Sequence, residues 1–199
     1  MRLTKVTKKV VAVAMTVAVT AGSIVAAPTA PKKAEAASYK AYLCMMTAKY
    51  ATRSNHNDEG NFFNYLVTEQ KEQIAGTKFK DVTMKTSKKA KTYTVSLTGL
   101  KGAIANDGGW NTIYVDTDIP GTDKGKIKVT KAVLKFDGKV VKTIKNPVIT
   151  PDPGKTADFT QIMIVNGWNT YSEKKCKAAS IKKMPKNSVS VTFTVKKLK

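Results

Sequence analysis

The chain contains two tryptophans, Trp110 and Trp168, and both sit in the tetrapeptide Gly-Trp-Asn-Thr, at 109–112 and again at 167–170. An indole beside a conformationally permissive glycine and an asparagine amide makes a flat apolar platform next to hydrogen-bond donors and acceptors. That is the chemistry that holds a sugar ring or a base. A core indole at the end of a strand fits the same residues, because tryptophan is mostly buried wherever it occurs. Asn111 and Asn169 follow the two rings and can bond hydroxyls, although asparagine serves equally well as a turn residue. Tyr50 and Arg53 add a third ring and a guanidinium, the latter suited to paired bonds with hydroxyls or a carboxylate. A surface ion pair with Asp58 or Glu59 is the alternative use of Arg53.

Catalytic chemistry is thinly represented. The single histidine, His56, lies in a polar stretch with no serine or cysteine motif around it, which argues against nucleophilic triads and histidine metal sites. Asp116 and Asp118 are two apart on a strand end, so they point the same way and could share a proton. With Asp123 they also gather oxygen ligands of the kind a structural calcium takes, at a spacing that is not that of an EF-hand. Aspartates capping turns through their own backbone explain the same pattern, and no cofactor is assigned. The expectation is a protein that is not an enzyme.

The ends and the charge narrow the setting. Arg2, Lys5, Lys8 and Lys9 precede an uncharged run from Val10 to Ala27 and then Ala34-Glu35-Ala36, the pattern of a secretory signal cleaved after Ala36. The apolar run is also long enough to act as an uncleaved anchor. Of 35 basic and 14 acidic residues, 1–36 hold six and one, which leaves 29 against 13 and a charge of +16 for 37–199. Arg53 is the only arginine among those 29. Dispersed lysine lacks the planar fork that reads guanine, so specific nucleic-acid recognition is not expected. Solubility or adhesion to an anionic surface is. Cys44 and Cys176 are an even pair in an exported chain, which a disulfide could join or which could remain two small apolar groups.

These residues must be positioned by strands. Ser38–Thr52 reads as a long first strand, and Asn61–Gly76 as a short helix. Beyond Gly76 the period is two: Tyr93, Val95 and Leu97 alternate with polar residues, as do Ile127 to Phe136 and Val189 to Val195. Asp137-Gly138 between two strand-like runs predicts a hairpin. Residues 147–157, with three prolines, read as a loop. The spacing predicts one all-β domain over 37–199, an antiparallel sandwich of jelly-roll type with about eight strands. A strand start at Trp110 and a strand end before Trp168 can then share one rim.

Tyr42-Leu43-Cys44-Met45-Met46-Thr47 with Tyr50 and Arg53 downstream resembles the opening strand of β-sandwich carbohydrate-binding modules attached to secreted bacterial polysaccharide hydrolases. Ile113–Pro120, Val133–Lys139 and Ile162–Trp168 are similar to later segments of such modules. The resemblance implies glycan binding through Tyr50, Arg53, Trp110 and Trp168, and the chain is expected to be a secreted, non-catalytic monomer. Two further readings stand beside it. One is a basic surface protein adhering by charge to anionic wall polymer, mucin or membrane, and the other is secreted nucleic-acid binding.

Overall fold

The computed structural model describes residues 37–48, 66–67, 76–151, 159–167, 176–177 and 181–199. Within the unit Glu35–Lys199 the strands in chain order are β1 (Ser38–Thr47), β2 (Leu66–Val67), β3 (Lys78–Lys80), β4 (Val82–Lys85), β5 (Lys91–Thr98), β6 (Trp110–Pro120), β7 (Ile127–Phe136), β8 (Lys139–Lys145), β9 (Ile149–Pro151), β10 (Phe159–Asn166) and β11 (Ser188–Leu198). A six-stranded sheet runs β2-β1-β6-β10-β9, with β4 on the same edge of β1 as β2, and a five-stranded sheet runs β3-β5-β11-β7-β8. The fold is the expected all-β, mostly antiparallel sandwich, and consecutive strands repeatedly change sheet.

The two sheets close over one core. Leu43 and Met45 of β1, Ile113 and Val115 of β6 and Ile162 and Ile164 of β10 meet Val95 and Leu97 of β5, Leu134 of β7 and Val191 and Phe193 of β11. In the five-stranded sheet those residues alternate mostly with hydroxyls and lysines, because the other face meets water. The hairpin falls where the sequence places it: Asp137 and Gly138 take φ of 49° and 78° between β7 and β8, the left-handed pair that a two-residue turn of matching twist requires.

Three expectations change. Leu66–Val67 is extended and pairs in parallel with Met45 and Met46, where a helix was expected. β4 covers only Ser38–Ala41 of that edge of β1, so the remaining backbone groups gain partners from β2. Ile149–Pro151, expected as loop, adds β9 beside β10. The first strand ends at Thr47 instead of running to Thr52, whose last residues lie outside the described ones.

The Asp137 turn is also an anchor. Its carboxylate accepts backbone N–H bonds from Lys186 (2.8 Å), Asn187 (2.7 Å) and Ser188 (2.9 Å), which ties the hairpin to the start of β11. Partial burial pushes the acid upward, but the three N–H donors and the Lys186 charge outweigh it and hold its pKa below the ordinary value. A lowered folded pKa gives stability that is present above the ordinary aspartate range and lost as pH falls through the folded value. Asp137→Asn keeps the residue's tolerance of positive φ, and at this solvent-screened position it should cost about 1 kcal/mol near pH 7. In urea unfolding, that difference should shrink below about pH 3. A deficit equally large at low pH would remove the carboxylate from the account.

Candidate functional site

Gly167, the first residue of the second Gly-Trp-Asn-Thr segment, meets the first segment. β6 opens at Trp110 between the ends of β1 and β10, with Thr47 opposite Trp110 on one side and Asn166 opposite Thr112 on the other. Gly109 carbonyl accepts the Ala48 N–H at 2.9 Å, and Asn111 carbonyl accepts the Gly167 N–H at 2.7 Å. The start of the second segment, Gly167, therefore lies beside the first at backbone level. Tyr50 and Arg53 follow Thr47 by three and six residues, and Trp168 and Asn169 follow Gly167 directly; all four lie outside the described residues.

Two of the proposed ligand contacts are corrected. Trp110 is only 3% exposed and packs its ring on Phe136, centroids 5.8 Å apart, inside the core. Its N–H finds no hydrogen-bond partner among the described residues. The strand irregularity after Met46 turns residue 110 toward the interior, so the indole is a foundation of the rim and not a platform on it. Asn111 is buried as well, its amide directed at Met46 Sδ at 3.8 Å and its side-chain oxygen packed against Gly167.

The outer face of the six-stranded sheet carries cross-strand rows. Tyr42, Asp116, Gln161 and Thr150 stand in one register, and Cys44, Tyr114 and Met163 in the next. Asp116, Gln161, Thr150 and Thr112 are buried, and Gln161 Oε1 and Thr112 Oγ1 have no hydrogen-bond partner among the described residues. Cys44 and Cys176 are both buried thiols in a cluster with Tyr114 and Met163, and the Cys176 thiol points at the Met163 carbonyl. The structure thus brings the two cysteines into one neighbourhood.

The three aspartates of the calcium reading are used separately. Asp116 lies in the buried row, Asp118 accepts the Lys40 N–H at 2.8 Å, and Asp123 pairs with Lys126 at 2.7 Å. Among the described residues no three acidic, histidine or cysteine side chains gather as a metal would need. Burial, then the charges of Asp118 and Asp81, pushes the Tyr42 phenol above its ordinary pKa.

Comparison with known proteins adds no relative. No family model, curated protein or solved structure matches the chain.

A concavity beside the hairpin was not anticipated from the sequence. Between the tip of the β7–β8 hairpin and residues 181–187 lies an open groove of about 770 Å³. Its floor includes Val140, Val141, Met184 and the edge of Phe136, and its rim carries Lys139, Lys182, Lys183 and Lys186. The signal was the pair Val140-Val141 beside a tight turn, where strict alternation would have put one polar residue.

Proposed function

We propose that the chain is an exported, non-catalytic, monomeric protein that binds a polysaccharide at the rim where β1, β6 and β10 meet. The observation that supports this is the convergence of three strand ends on Gly109–Asn111, from which Tyr50, Arg53, Trp168 and Asn169 continue in sequence. Trp110 would support the site from below. The surface work then falls to the second indole, the tyrosine and the guanidinium, by stacking and hydrogen bonding. Affinity-gel electrophoresis against a panel of neutral and acidic polysaccharides tests it. At least one polymer should retard the protein, and Trp168→Ala and Arg53→Ala should abolish most of the retardation while leaving the melting temperature unchanged. Retardation by none, or retardation indifferent to both substitutions, rejects the reading.

A second reading, adhesion by charge to an anionic wall polymer, mucin or membrane, is favoured by the outer face of the five-stranded sheet. Opposed residues of an antiparallel pair share a face. Thr94 and Thr192, and Ser96 and Ser190, are opposed on β5 and β11, while Lys80 flanks them on β3 and Lys131, Lys135 and Lys145 on β7 and β8. These rows contain no carboxylate. Binding through them should collapse as the screening length shortens from about 10 Å at 0.1 M salt to about 3 Å at 1 M, which a stacking site should survive.

A further inference from the structure

We infer that the groove beside the β7–β8 hairpin is a binding site for one amphiphilic anion, a free long-chain carboxylate, independent of the polysaccharide reading. The groove floor is aliphatic: Val140 is 61% exposed, the one large apolar side chain standing exposed among the described residues, with Val141 and Met184 half-buried beside it. A volume of about 770 Å³ falls in the range of small-molecule sites. Phe136 is almost wholly buried and presents no ring face to stack a sugar, so hydrocarbon is the better match for this floor.

The mouth selects charge. Four ammonium groups, Lys139, Lys182, Lys183 and Lys186, stand around it against one carboxylate, Asp137. That carboxylate faces three backbone N–H donors of residues 186–188, and four positive charges stand against its single negative one. The net field over the floor is therefore positive, and an acyl chain entering with its carboxylate outward would meet lysines on both walls.

The probe is 1-anilinonaphthalene-8-sulfonate, an apolar body bearing one anionic group, followed by fluorescence with the full exported chain. Its emission should rise on binding and be displaced by monomeric laurate, but not by dodecyl maltoside, inorganic phosphate or heparin. Val140→Asp, an exposed position, and the pair Lys182→Glu/Lys183→Glu should each weaken laurate displacement by about tenfold, the size of one lost contact. Both should keep the parent melting temperature. Reversing Lys88 and Lys89, near the far end of β11 by the Ser87–Leu198 bridge, should change nothing. Equal displacement by dodecyl maltoside overturns the anion requirement. Displacement by heparin but not laurate assigns the lysines to a polyanion, and binding of anionic-lipid vesicles without laurate binding assigns the patch to a membrane. Indifference to Val140→Asp, or equal loss from the Lys88 and Lys89 reversal, overturns the site. Loss of polysaccharide binding with laurate binding intact would leave this inference standing, since no rim residue enters it.

Discussion

Replacing Trp110 by alanine should lower the stability of the domain by about 3–5 kcal/mol, which in a domain of this size moves the melting temperature by roughly 10 °C. The indole fills the space between the start of β6 and Phe136 at the end of β7, so its removal leaves a cavity joining the two sheets at the rim. Trp110→Phe should cost clearly less, since it keeps most of the apolar contact and removes a buried N–H that gains no bond among the described residues. Thermal and urea unfolding of the two variants measure this. A Trp110→Ala protein that melts like the parent yet fails to bind polysaccharide would put the ring back on the surface.

Gly167→Ala should destabilise by about 2 kcal/mol, the usual scale of an overpacked interior. A Cβ at 167 would fall inside the contact radius of Asn111 Oδ1 and lie 3.1 Å from the Asn111 carbonyl oxygen. That side chain cannot easily swing away, because it is 7% exposed and held against Met46. The two motifs are thus sterically coupled, and the coupling is measurable. In a double-mutant cycle, Asn111→Ala with Gly167→Ala should cost at least about 1 kcal/mol less than the two single changes added together. Strict additivity would mean that the contact between the motifs is incidental.

How legible the protein was from its sequence differs between the two sheets. Val95 and Leu97 against Thr94 and Ser96, or Val191 and Phe193 against Thr192 and Thr194, announce strands because water covers one face of that sheet. β6 gives no such alternation: it is buried from Trp110 to Thr117 on both faces, so its polar residues fall at buried positions and its apolar ones on either side. The same double burial explains the misreading of Trp110 and Asn111. Their residue types suit a ligand, and only the irregularity at Met46–Thr47, a tertiary feature, turns them inward. Leu66–Val67 carried too little length to declare itself, since a two-residue strand exists only through its neighbour. The groove was invisible for a related reason: Ile181–Asn187 has no regular structure, and what places it against the hairpin is Asp137, some fifty residues earlier.

The position of β11 bears on how the chain acquires its structure. Residues 188–198 lie between β5 and β7, pairing with Val95 and Leu97 on one side and with Leu134 and Phe136 on the other. β5 and β7 share no backbone bond of their own in that sheet, and each is joined to the other only through β11. Such long-range pairing also makes for slow closure. The five-stranded sheet is thus completed through its middle and not at an edge, so the hydrogen bonds of β5 and β7 on those sides form together, when β11 takes its place.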